Sequence, residues 1–271
     1  MKNKPKNKIA PAVKPLKSQE VAYRKQINKL GKALMVAVKK DVLEYLKSNQ
    51  ESYTLDGIGD QLGLIFGLLN ARFSGNIAAS FAMTTATNMV NSTAKSNRQK
   101  FGKSIARATG VDPTSVMASE GLEDFVKLQI NTNIDLINNL SEDYLKQIKV
   151  IVNNGVASGA RYSTIEKQIL GKVGTANSKL ANRIKTIATN EIQTINAQMS
   201  LRRSENLGIK QGIYRTSEDE VVRPCHKELN GFQYALNKGA WSVTCQKYIQ
   251  PGITDINCRC TYSPVINPET I

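Results

Sequence analysis

A chain of 271 residues with 41% hydrophobic content can bury a core as one large domain or two smaller ones, which excludes global disorder. Its formal charge of +15 favours a polyanionic neighbour, nucleic acid before an anionic membrane. The longest greasy run, Leu62 to Leu69, falls far short of the ~20 residues of a membrane span, and Arg72 follows it, so no stable membrane insertion is expected.

Residues 1–17 carry Lys2, Lys4, Lys6, Lys8, Lys14 and Lys17 with three prolines and no acid. Such a stretch offers little apolar surface against its chain entropy and reads as a disordered basic arm, either a tether to DNA or an acidic partner, or a solvated tail. No apolar segment follows its lysines, so no secretory signal is read; synthesis in a reducing cytosol then argues against a disulfide framework.

The region 18–118 reads as helical. Val21, Ile27, Leu30, Leu34, Val38, Val42 and Tyr45 recur at three- and four-residue steps from a start near Ser18, and Gly57 and Gly59 break the pattern. One long or two consecutive helices follow to about Ala108, with a stripe of Leu62, Ile65, Phe66, Leu69 and Phe73. Small residues from Ala78 to Ala86 suit close helix packing, and Gly110 and Pro113 end the segment.

Residues 119–207 read as further helices. One starts near Glu120 with Leu122, Phe125, Val126 and Leu128; a second starts at Ser141 with Leu145, Ile148 and Val152. A third has the capping-box pair Ser163 and Glu166, and a fourth spans about Ser178 to Glu205 with Leu180, Ile184, Ile187, Ala188, Ile195 and Met199 on one face. Glu191 stands within that stripe, which reads as a structural ion pair with Arg202 or with Arg223 and His226, or as the stripe's edge.

After Gly208 the texture changes to β-formers. Ile209 to Thr216, Phe232 to Ala235 and Thr261 to Ile266 are strand candidates, so 208–271 reads as a small β-containing unit. The fold class is α+β: a mostly helical N-terminal body with a small C-terminal β-containing domain. All four cysteines and the only histidine lie in this last part. His226, Cys258 and Cys260 with Cys225 or Cys245 would supply four nitrogen and sulfur ligands for zinc, although no Cys-x₂-Cys pair is present. Adjacent Cys225 and His226 make a poor nucleophile–base couple. The reading preferred from these residues is a buried polar network of Arg223, His226, Asn257 and Arg259 that pins loops, with no catalytic residue and no required cofactor.

The order Asp219-x-x-x-Arg223-Pro224-x-His226-x-x-Leu229-x-Gly231, then Pro251-Gly252 and Asn257-Cys258-Arg259-Cys260 with Pro264, resembles the signature of phage Mu F-like head morphogenesis (minor head) proteins. Arg183-x-x-x-Ile187-Ala188-x-x-Glu191 and the Gly208 to Tyr214 strand add to it. The resemblance implies a structural minor head protein of a tailed phage or prophage. Such a protein is made in the host cytoplasm and placed in the virion at the portal vertex or head interior. Its implied partners are the portal protein, the major capsid or scaffold protein and phage DNA. Glu191, Asp219, Arg223, His226, Gly231, Asn257, Cys258, Arg259 and Cys260 are the motif positions, and the lysine arm is the DNA-contacting candidate. The rival class is a metal-dependent nuclease, or another enzyme, built on His226 and the cysteines.

Overall fold

Apolar side chains at four-residue steps build most of this molecule, whose computed structural model describes residues 7–50, 58–174 and 178–267. Helix α1 (Lys17–Ala37) continues through a π-helical turn (Val38–Leu43) into α2 (Glu44–Ser48), burying Leu34, Val38, Val42 and Leu46. Tyr23 takes the buried place expected of Val21, which is exposed. Gly57, expected as a breaker, lies outside the described residues.

The expected region to Ala108 is two consecutive helices, α3 (Ile58–Ser74) and α4 (Asn76–Thr109). They part at Gly75, where a Cβ would stand 2.8 Å from the Ala71 carbonyl oxygen. Helix α3 buries Ile58, Leu62, Phe66, Leu69 and Phe73 and exposes Leu64 and Leu68. Ile58–Thr109 as a whole is long and apolar enough to cross a membrane by length and composition, which the run Leu62 to Leu69 alone is not.

Of two helix starts expected from capping signals, the one at Ser141 is absent and the one at Ser163 falls one residue inside the observed start. Ser141 is buried inside a single helix α5 (Glu123–Ala157), because its face runs without interruption through Ile137, Leu140, Tyr144 and Ile148. Ser163 lies in the first turn of α6 (Tyr162–Val173), and Glu166 accepts a hydrogen bond from the Tyr162 hydroxyl at 3.0 Å in place of a backbone cap. Helix α7 (Lys179–Asn206) follows.

The antiparallel sheet has the order β1-β6-β2-β3, from β1 (Lys8–Ile9), β6 (Thr261–Ile266), β2 (Gln211–Arg215) and β3 (Gln233–Ala235). In register, Ile9 faces Val265, Tyr214 faces Tyr262, and Gly212 lies between Tyr234 and Pro264. Gly212 has no room for a side chain, since a Cβ would lie 2.8 Å from Leu236 and 2.9 Å from Tyr262. A separate hairpin, β4 (Ala240–Ser242) with β5 (Lys247–Ile249), stacks Trp241 edge-on against Tyr248.

The chain forms two compact units that cut across its linear order. One comprises 1–20, 89–129 and 189–271; the other comprises 21–88 and 130–188. In the second unit, the buried Tyr23 hydroxyl donates to Asn133 Oδ1 at 2.8 Å, and Gly155 admits Ile165 so closely that a Cβ would meet it at 2.6 Å. The first unit gathers the sheet, α4 residues Phe101 and Ile105, and the N-terminal segment. Residues 7–17 are therefore not a disordered arm. Ala10 and Val13 are buried, the Asn196 amide donates to the Val13 carbonyl at 3.0 Å, and Lys100 Nζ to that of Lys14 at 2.7 Å. Two apolar residues and backbone partners on three elements offset the ordering cost that the lysine count suggested would prevail.

Candidate functional site

The loops between β2 and β6 assemble around His226. Pro224 opens the short helix α8 (Pro224–Lys227) at its first position behind an extended Arg223, and this turn directs Cys225 and His226 inward. Leu229 anchors the following loop in the core, and Gly231, at φ +82°, donates its N–H to the Tyr214 carbonyl at 2.9 Å to return the chain into β3.

His226 is 2% exposed. Its Nε2 lies 2.9 Å from Asp255 Oδ2, whose other oxygen takes Lys247 Nζ at 2.7 Å. A carboxylate accepts, so Nε2 carries the proton and Nδ1 faces the interior. There Nδ1 meets the Tyr214 hydroxyl at 3.2 Å and the sulfurs of Cys258 and Cys260 at 3.5 Å each. The Gly252 N–H donates to Cys258 Sγ at 3.3 Å, and Gly252, at φ +75°, packs where a Cβ would lie 2.9 Å from Ala197. The hydrogen bond with Cys258 raises the His226 pKa; burial opposes it and Asp255 adds to it. The Cys258 thiol is drawn down by hydrogen bonds from Cys260, His226 and the Gly252 amide, whereas Cys258 and burial push Cys260 up.

Of the four residues expected to form a buried network, His226 alone is buried. Arg223, Asn257 and Arg259 are exposed and tie the loops from outside. Arg223 donates to the Ile256 carbonyl at 2.9 Å, Arg259 pairs with Asp219 at 2.8 Å, and Asn257, at φ +59°, donates its N–H to Asn190 Oδ1 on α7 at 2.9 Å. The reason is spacing: in Cys258-Arg259-Cys260 the middle side chain must point away from the side that both sulfurs share. Glu191 is half-buried and accepts from Asn190 at 3.1 Å, while His226 takes Asp255 as its carboxylate. The α7 stripe passes through Ile192 and Ile195 instead, leaving Glu191 at its rim. Arg202 stacks over the Phe125 ring at 4.5 Å.

Contrary to the expectation from the reducing compartment, Cys225 and Cys245 form a disulfide, with Cα atoms 5.6 Å apart. The 19 intervening residues run through β3 and β4 to the turn of the β4–β5 hairpin, which brings Cys245 back to Cys225, a return that compartment reasoning does not see. Neither cysteine is therefore a ligand candidate. Among the described residues, His226, Cys258 and Cys260 are the group whose donor atoms all lie within 4.8 Å of one another.

Sequence reasoning missed Tyr214, Asp255, Lys247 and Gly252 as members of the site. Gly252 was on view in its Pro-Gly pair; the others are common residue types whose roles depend on the fold. Of the candidate lysines, Lys8 donates to the Thr109 carbonyl at 3.4 Å and Lys17 pairs with Glu20 at 2.6 Å. Lys14 is exposed, and Lys2, Lys4 and Lys6 lie outside the described residues.

Residues 146–263 match the family described as Phage Mu protein F like protein. An uncharacterized protein of Haemophilus influenzae is 26% identical over 261 residues, covering 94% of this chain and 55% of its own length. The chain thus spans about half the length of that relative. No solved structure matches it. The matched residues 146–263 hold the His226 cluster, the disulfide and the first half of the central strand β6, so the similarity to the family described as Phage Mu protein F like protein covers the site.

Proposed function

We propose that the chain is a structural minor head protein of a tailed phage or prophage, placed at the portal vertex or head interior and touching packaged DNA non-specifically. The observation that carries this reading is the family match over the loops clasped around His226. The motif residues tie loop to loop and loop to helix: Arg259 to Asp219, Arg223 to Ile256, Asn257 to Asn190. That is the work of a fold-holding clasp. The portal protein, with the major capsid or scaffold protein, is the protein partner, and the net positive charge suits DNA.

The rival nuclease reading meets a steric difficulty. His226, Cys258 and Cys260 are each under 5% exposed, so a nucleotide has no direct access to them. A Cys–His–Asp order without substrate access holds structure more readily than it performs chemistry.

Mass spectrometry of purified virions, paired with electron microscopy of proheads from a strain lacking the gene, tests the placement. The protein is expected in the virion, with aberrant or portal-deficient heads in its absence. Absence from virions together with normal heads would overturn the reading. For the rival, His226→Ala and the parent protein are expected to leave DNA uncut alike.

A further inference from the structure

His226 Nδ1, Cys258 Sγ and Cys260 Sγ converge from two loops, and all three residues are buried. Nδ1 is 3.5 Å from either sulfur. Around a tetrahedral zinc ion, with Zn–N of about 2.0–2.1 Å and Zn–S of about 2.3 Å, nitrogen and sulfur stand about 3.5 Å apart. The side chains already hold the separation that such an ion imposes. We propose that His226, Cys258 and Cys260 bind one zinc ion, as a structural centre of the C-terminal loops.

The surroundings fit that assignment independently of the distances. Asp255 accepts from Nε2 and is itself fixed by Lys247, the outer-shell carboxylate arrangement that leaves the opposite ring nitrogen as the metal donor. The Gly252 N–H points at Cys258 Sγ, a donor suited to thiolate charge. Cys-x-Cys spacing in an extended segment turns both sulfurs to one side and sends Arg259 out to Asp219. The Tyr214 hydroxyl also lies 3.2 Å from Nδ1. The disulfide withdraws Cys225 and Cys245, so the ligand set has no competing thiol within the motif. Both cysteines bind as thiolates, their protons passing to solvent, and this soft donor set selects zinc over magnesium or calcium.

The test uses the untagged full chain, stripped with chelator and then supplied with zinc or cobalt alone. About one zinc per chain is expected, and Co²⁺ should give the near-ultraviolet thiolate charge-transfer band of a sulfur-ligated tetrahedral site. Cys258→Ser with Cys260→Ser should abolish both signals, whereas Cys225→Ser with Cys245→Ser should leave them intact. His226→Cys, which keeps a soft donor, should retain zinc where His226→Leu loses it, a contrast that general misfolding would not produce. Asp255→Asn should weaken zinc binding about 10- to 100-fold. Failure of the parent chain to take up either metal, or stoichiometric zinc in the double Cys258/Cys260 variant, would overturn the proposal. Neither outcome bears on placement in the phage head.

Discussion

Arg203 shows what a single residue contributes to the first unit. It is 2% exposed, and its guanidinium spans Glu120, with Nε to Oε2 at 2.8 Å and Nη2 to Oε1 at 2.5 Å, while Nη1 donates to Asn97. Asn97 in turn donates to Asn196 and Ser200, so α4 and α7 share one buried polar chain. Glu120→Ala would leave a buried cation with only neutral acceptors, a loss of about 3–5 kcal/mol read as a fall in the urea midpoint. Replacing Arg203 and Glu120 together by Met and Leu should recover most of it. Arg203 was not read from the sequence, although it continues the Ile195–Met199 stripe by one more step of four. Its neighbour Arg202 drew attention because that position suited an ion pair with Glu191; packing set Arg202 on Phe125. The Cys225–Cys245 disulfide was not legible, because pairing depends on where the hairpin returns. Cys245→Ser, or reduction, should cost about 3 kcal/mol for a loop of this length and lower the melting temperature accordingly.

Among elements, the helices were readable and their junctions were not. Four-residue periodicity located the buried faces of α3 and α7, because one face of a helix is a local property of spacing. The capping residue Ser141 misplaced a helix start, because a cap signal inside a continuous apolar stripe is overridden by packing. Strand β1 was invisible: two residues flanked by lysines and prolines pair with β6 only once β6 exists. Deleting residues 1–13 removes β1, the Val13 burial and the bond from the Ala10 N–H to the Pro264 carbonyl at 2.9 Å. About 2–4 kcal/mol should be lost, seen as faster hydrogen exchange along β6, whereas deleting only 1–6 keeps every one of these contacts. Gly252→Ala probes the seam between α7 and the cysteine loop: the clash with Ala197 and the positive φ should destabilise by about 1–3 kcal/mol. The same change should loosen the Gly252 N–H from Cys258.

At the scale of the whole molecule, charge is the property that composition announces and the fold redistributes. The unit containing the sheet has 21 Lys and Arg against 13 Asp and Glu; the other has 16 against 9. The excess is therefore shared between both units, and the N-terminal lysines are a minority of it. In the second unit, a cavity of about 520 Å³ is bordered by Arg24, Lys32 and Lys185, cations held by packed helices. If the chain lies against packaged DNA, binding should be sequence-independent and fall linearly in log–log form with salt, by about 0.9 per phosphate neutralised. Deleting residues 1–6 removes Lys2, Lys4 and Lys6 and can lower that slope by at most about 2.7. Arg24→Glu, Lys32→Glu and Lys185→Glu together should lower it further if the second unit also faces the duplex. Titration of the full chain and these variants with a short duplex at several salt concentrations gives the slopes. A slope lost with the six-residue deletion alone would confine contact to the arm, and salt-independent binding would remove DNA from the proposed partners. A slope that survives both deletion and charge reversal would move the contact to Arg98, Lys103 and Arg107 on α4, the next cationic row along the chain.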